Sequence, residues 1–216
     1  MSGNLYEEFV RANTVLAAPP LVPEIRLHLA TEITPLWQAT EESLARSQLP
    51  PPYWAFAWAG GQALARHVLD HRDLVRGRRV LDFGAGSGLV AIAAAMAGAG
   101  DVLAGEPDPF AVSAIQLNAR ANGVAVAVES ADLIGTAPRW DCVLAGDMCY
   151  ERPLAERLTS WLRACAASGA LVLLGDPGRA YLPGSGLEER ARYVVTTPLE
   201  LEDRTSRETV VWRLSA

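Results

Sequence analysis

Cysteine, histidine and long apolar runs are all scarce in this chain of 216 residues, and each shortage excludes something. The three cysteines, Cys142, Cys149 and Cys165, form no CxxC pair, which argues against a disulfide framework and against a structural metal. Among the three histidines, only His67 and His71 stand at a helical i,i+4 spacing, between Arg66 and Arg72. A solvated helix face is the expectation for them, and no metal site is expected. No apolar run free of charges and breakers is long enough to span a membrane. The most apolar stretch, Leu89 to Ala99, is short and Ala-rich and suits a buried helix. Positive charge is also in short supply. The formal net charge is −6, and no segment gathers basic residues with aromatics as a phosphate-tracking protein requires. Neither nucleic acid nor membrane is an expected partner. The first twenty residues carry Glu7, Glu8 and Arg11, with no basic n-region and no Arg-rich, acid-poor transit pattern. A cytoplasmic, monomeric protein is the expectation.

What is present is ample core material: half of the residues are apolar, enough for one full-sized domain. Asn4 to Val15 reads as a short amphipathic helix ended by Pro19 and Pro20. Ile25, Leu27 and Leu29 alternate with Arg26 and His28 like a strand, and Leu36 to Ser47 fits a helix. The rigid break Leu49-Pro50-Pro51-Pro52 sets residues 1–50 apart as an N-terminal extension packed on a main domain of residues 51–216. In that domain strands and helices alternate. Strands are expected at Arg79–Phe83, Val102–Ala104, Val124–Val128, Cys142–Ala145 and Leu171–Leu174. Helices begin near Leu89, at Pro109 and near Leu154. Alternation of this kind implies an α/β fold with a mainly parallel sheet and helices on both faces. Tyr193–Thr197 and Thr209–Leu214 lack a helical stripe between them and read as an antiparallel pair at the sheet edge.

The segment Val80-Leu81-Asp82-Phe83-Gly84-Ala85-Gly86-Ser87-Gly88 runs from strand into helix. Gly84 and Gly86 allow a tight turn and close approach to a ligand, and the helix start offers free N–H groups. Glu106 ends the next strand beside Pro107, where a carboxylate can accept hydrogen bonds from both hydroxyls of a ribose. Dinucleotides suit this frame too, but their fingerprint wants a third glycine at position 89, where Leu89 stands. Asp82, two residues before the first glycine, better matches enzymes that bind S-adenosylmethionine, in which an acid commonly faces the methionine end. Asp132 and Leu133 follow the third strand; one is a candidate for the adenine amino group and the other for the ring face. A helix-cap or turn role for Asp132 is the plainer alternative.

Two further segments are candidates for chemistry. Tyr53-Trp54-Ala55-Phe56-Ala57-Trp58-Ala59-Gly60-Gly61-Gln62 is dense in aromatics, and its double glycine permits close packing over a ligand. Gly146-Asp147-Met148-Cys149-Tyr150 follows the fourth strand, at the carboxyl end where open parallel sheets place ligands. Asp176 after the fifth strand either lines the same mouth or orders a loop.

Asp147-x-x-Tyr150, with the Trp58 segment and the glycine loop, resembles the seven-strand lysine methyltransferases of family 16. Within that family, Trp58-Ala59-Gly60-Gly61-Gln62 and Gly175-Asp176-Pro177-Gly178-Arg179 look like the members acting on the β-subunit of electron-transfer flavoprotein, over about residues 23 to 214. The resemblance implies a Rossmann-like class I fold: a seven-stranded, mainly parallel sheet with an antiparallel last strand. It also implies S-adenosylmethionine as cofactor, held by Trp58, Asp82, Gly84, Gly86, Gly88, Glu106, Pro107, Asp132 and Leu133. Asp147 and Tyr150 would be the catalytic pair, and a protein with an exposed lysine the partner. Asp147 would bind the arriving ammonium. A lysine methyltransferase for another protein such as a ribosomal protein, a small-molecule methyltransferase, a silent adenosylmethionine-binding scaffold and a nicotinamide oxidoreductase are the alternatives.

Overall fold

The computed structural model describes residues 4–30, 51–197 and 205–216. The helix expected at Leu36 to Ser47 lies outside them. Helix α1 spans Asn4–Asn13, and a two-stranded antiparallel ribbon of β1 (Val15–Ala17) and β2 (Leu27–Leu29) follows. In this segment Tyr6 meets Phe110 edge-on at 4.8 Å, and Glu7 pairs with Arg120 at 2.8 Å.

The main sheet has seven strands in the order β5-β4-β3-β6-β7-β9-β8. These are β3 (Arg79–Phe83), β4 (Asp101–Gly105), β5 (Ala127–Glu129), β6 (Cys142–Gly146), β7 (Leu171–Asp176), β8 (Leu187–Thr196) and β9 (Ser206–Leu214). The first five are parallel to one another. β9 runs antiparallel between β7 and β8. The strand order reverses between β3-β4 and β6, which opens a crevice at the carboxyl ends of β3 and β6.

Local sequence explains each element. β3 and β6 are short apolar runs buried on both faces, as central parallel strands must be. Helix α3 (Leu89–Met96) is apolar all round and accordingly buried. Helix α4 (Pro109–Ala121) opens with Asp108 as its cap, whose side chain accepts the N–H of Phe110 at 2.9 Å, and with proline at its first position. Helix α5 (Arg152–Ala167) turns Leu158, Trp161, Leu162 and Cys165 inward.

Three strands, β5, β8 and β9, start away from where they are expected, for physical reasons. β5 begins three residues later than Val124, because Gly123 at φ +65° folds the chain back and the N–H of Val124 bonds to Ala119 at the end of α4. β8 and β9 are longer than their apolar stretches. Their outer rows carry Glu189, Arg192 and Glu208, which pair across the exposed edge while the ladder continues.

His67 corrects the expectation of a solvated histidine pair. It lies on the inner face of α2 (Ala59–Asp70), only 5% exposed, 3.4 Å from the hydroxyl of Tyr193. Burial, with His71 close by, lowers its pKa to about 4, so it is neutral. Among the described residues no helix is long and apolar enough to cross a membrane, and no cluster of three or more His, Cys, Asp or Glu could hold a metal.

Candidate active site

A cavity of about 730 Å³ opens at the carboxyl ends of β3, β4 and β6. Its wall includes Gly84, Gly86, Glu106 and Pro107 from the strand ends, and Tyr53, Trp58, Asp147, Tyr150 and Arg179.

The glycine loop shapes the first wall. Gly84 and Gly86 take φ of +67° and +52°, which glycine adopts without a side-chain clash. A Cβ on Gly84 would also collide with the sulfur of Met148, which packs across the loop. Glu106 follows β4 with both carboxylate oxygens anchored. Oε2 accepts the N–H of Gly86 at 2.8 Å, and Oε1 accepts the N–H of Asp108 at 3.1 Å. Burial raises its pKa, and those two N–H groups oppose the rise. The side chain is thus fixed before any ligand arrives, with lone pairs left over for hydroxyl donors.

Asp82 stands behind the loop, not on the cavity wall. Its Oδ2 accepts the N–H of Ala91 in the first turn of α3 at 2.8 Å, and burial raises its pKa to about 7. Any influence it has on a ligand runs through the loop it braces. Gly88, at φ +79°, caps α3 and backs onto Ile115. Leu133 is buried on the cavity wall, where a Cβ on Gly105 would touch it. Asp132 is on the wall too, but its carboxylate is engaged: it accepts the N–H of Ile134 at 2.9 Å and pairs with Arg157 at 2.7 Å on the surface. The turn alternative describes this geometry, since among the described residues no helix follows Asp132 before β6.

Asp147 is the one non-glycine residue at positive φ among those described, +59°. That conformation is costly and persists only where the surroundings enforce it. Its N–H donates to the carbonyl of Gly175 at 2.9 Å. Its Oδ2 accepts the N–H of Gly61 at 2.9 Å, in the first turn of α2. Its Oδ1 accepts from Arg179 at 2.8 Å, with a longer contact to Nε at 3.3 Å. The carboxyl is 11% exposed, and burial pushes its pKa up to about 6 even though Arg179 and Gly61 pull it down.

The double glycine serves this acid. Helix α2 starts in backbone contact with the ends of β6 and β7: Gly60 against Gly175, and Gly61 against Gly146. A side chain on Gly60 would also meet Oδ2 of Asp147 at 2.6 Å. The glycines therefore press α2 onto the sheet and aim its first turn at Asp147, rather than packing over a ligand.

Trp58 precedes α2, its indole N–H donating to the carbonyl of Tyr53 at 2.8 Å. Its ring lies 5.9 Å from Tyr53 and carries the guanidinium of Arg179 at 5.7 Å. Tyr150 stands on the rim, its ring 5.8 Å from that of Tyr53, and it is not hydrogen-bonded to Asp147. Burial, then Tyr53, raises its pKa. Asp176 takes the loop-ordering role: its Oδ1 accepts the N–H groups of Gly178 and Arg179 at 2.7 and 2.6 Å. Tyr53, Met148 and Arg179 line the cavity without having been assigned a role from sequence. The Asp-x-Gly spacing of Asp176 and Gly178 is the signal that could have placed Arg179, because such a turn presents the next side chain from a fixed backbone.

The fit to an adenosyl cofactor rests on this geometry: a pre-anchored acid at the end of β4, a glycine loop against it, and a roomy apolar wall beyond. The Rossmann-like fold and this site define the chain as an S-adenosylmethionine-dependent methyltransferase. Residues 63–175 match the family "Ribosomal protein L11 methyltransferase (PrmA)". Magnesium protoporphyrin IX methyltransferase (ChlM) from Synechocystis PCC 6803, solved with bound SAH, shares the fold. It is 18% identical, with a TM-score of 0.52, over 72% of this chain and 81% of that one. Two relatives are nearer in sequence, both named electron transfer flavoprotein beta subunit lysine methyltransferase. The Rattus norvegicus protein is 38% identical over 94% of this chain and 82% of its own length. The Homo sapiens protein is 41% identical over 87% and 72%. The chain belongs to the electron transfer flavoprotein β-subunit lysine methyltransferase family.

Proposed function

We propose that the chain transfers the methyl group of S-adenosylmethionine to a lysine of the β-subunit of an electron transfer flavoprotein. Bound S-adenosylmethionine supplies an electrophilic methyl group, and the acceptor must reach it in line with a free lone pair. The enzyme's contribution is therefore mostly positioning. The observation that carries the lysine reading is the buried carboxyl of Asp147 at the base of a mouth built from Tyr53, Trp58 and Tyr150. A long, unbranched aliphatic stem fits between aromatic rings, and its terminal nitrogen meets an acceptor. In this reading Asp147 and Tyr150 contact the acceptor. Glu106 takes the ribose hydroxyls beside Pro107, and Gly84 and Gly86 border the methionine portion. Asp132 and Leu133 complete the cofactor wall, Trp58 borders both the cofactor and the acceptor mouth, and Asp82 and Gly88 hold the loop. The net charge of −6 supports a protein acceptor rather than nucleic acid. The reading includes a cytoplasmic enzyme acting as a monomer, which cell fractionation and gel filtration test.

The experiment is mass spectrometry of purified electron transfer flavoprotein after incubation with enzyme and cofactor. A mass gain of one or more methyl groups on a β-subunit lysine is expected. Labelling of a small metabolite with no gain on any lysine refutes the proposal. The chain itself supplies a clean background: all nineteen of its basic residues are arginine, so no methylated lysine can be its own.

A further inference from the structure

The lysine reading leaves one group without a task. An acid that captures ammonium ions should offer an unbalanced negative charge. Asp147 does not: one oxygen takes a helix N–H, and the other takes the guanidinium of Arg179 at 2.8 Å. Nor is Arg179 a loose plug. Its backbone N–H is fastened by Asp176, which is 2% exposed, and its guanidinium lies over Trp58. The pair is built into the cavity wall. Resting on the lysine assignment, we infer that Arg179 is a positioning residue that balances Asp147 and keeps the reacting nitrogen in its neutral amine form.

The chemistry requires such a device. A lysine in water has a pKa of about 10.4, and only its unprotonated form has a lone pair to give. A lone buried carboxylate would hold the ammonium and so oppose its deprotonation. A neighbouring cation does the reverse and lowers the amine's pKa. With Arg179 in place, Asp147 still accepts one N–H of the amine and aims the lone pair, but it no longer rewards the extra proton. The proton leaves to water at the open rim beside Tyr150, which is 43% exposed.

The surroundings are compatible with this division. Near Asp147, the loop after β7 contributes Asp176 and Arg179, and the loop after β6 contributes Cys149, Tyr150 and Glu151. Tyr53, Glu106, Asp108 and Asp132 are the other titratable groups on the cavity wall. Cys149 and Tyr150 are held neutral by burial at physiological pH. Arg179 is thus the cation that decides the local balance among the described residues.

The test uses Arg179→Ala, with kcat measured across pH on the flavoprotein substrate and adenosylhomocysteine affinity measured by calorimetry. The acidic limb of kcat should move up by about one pH unit, a tenfold loss on that limb which disappears at high pH. Sub-denaturing guanidinium should move the limb back, and adenosylhomocysteine affinity should stay unchanged. A loss equal at every pH, or an unmoved limb, overturns the inference while leaving lysine methylation intact. If the unaltered enzyme methylates no lysine at all, the lysine reading falls and this inference falls with it.

Discussion

A Cβ built on Gly60 would run into the carbonyl of Gly175, and one built on Gly175 would run into the carbonyl of Gly60. Two backbones meet here with no room for a side chain from either, at the point where α2 must reach Asp147. Gly60→Ala should therefore force α2 away from the sheet. Overpacking of this kind typically costs 1–3 kcal/mol, and the bond from Gly61 to Asp147 would lengthen. The neighbouring Gly61 has open space where its Cβ would go. Gly61→Ala should leave stability unchanged or slightly raised, since alanine favours helix over glycine. Thermal unfolding of both variants checks the contrast; equal losses would refute it.

Asp82 should make stability pH-dependent in an unusual direction. Its folded pKa is raised from 3.8 to about 7 by burial. Between those values the folded state holds a proton that the unfolded state has released. Stability from this group is therefore greatest at low pH and falls as pH rises from about 4 to about 7. Asp82→Asn removes this dependence, so denaturation curves of the two proteins should converge at low pH. They should diverge in favour of the amide by neutral pH, by on the order of a few kcal/mol at most. A pH-independent difference would show that Asp82 is charged throughout in the fold.

Glu106 predicts the cofactor behaviour. Glu106→Ala removes the acceptor of Gly86 and Asp108 as well as the expected ribose contacts. Hydrogen bonds to a charged group are each worth about 1.5–3 kcal/mol. Adenosylmethionine affinity by calorimetry should fall at least tenfold, with the circular dichroism spectrum retained. Unchanged affinity in a folded variant would remove Glu106 from the cofactor site.

The fold was legible because its signals are local. Short apolar strands between helices dictated a parallel sheet, and a glycine loop after β3 marked where the ligand crevice lies. Asp147 was legible for the same reason, as a polar residue at the carboxyl end of a central strand. Its partner was not. Arg179 is 32 residues away, and only the pairing of β6 with β7 brings the two loops together. The purpose of Gly60 was hidden likewise, since its neighbours Gly175 and Asp147 come from distant sequence. His67 misled because its flanking arginines suggest solvent, whereas α2 is covered on that side by Tyr193 of β8. Local chemistry marks a candidate; which group answers it depends on strand order.

Asp147 and Tyr150 should separate in their effects. Asp147→Asn keeps the shape of the side chain and its contact with Gly61, but it leaves Arg179 as an unbalanced cation beside the acceptor. Adenosylmethionine affinity should stay within about twofold, because Glu106 and the glycine loop are untouched. Methyl transfer should fall by at least about a hundredfold, a loss on the scale of a missing buried charged partner. Tyr150→Phe retains the ring that stands against Tyr53 at 5.8 Å and loses a hydroxyl with no bond to Asp147. Its transfer rate should drop by less than about tenfold, with the change chiefly in KM for the protein substrate. Single-turnover kinetics with labelled cofactor measure both variants directly. Should Tyr150→Phe prove the more damaging of the two, the acid would be structural and the tyrosine hydroxyl would take its place against the acceptor nitrogen.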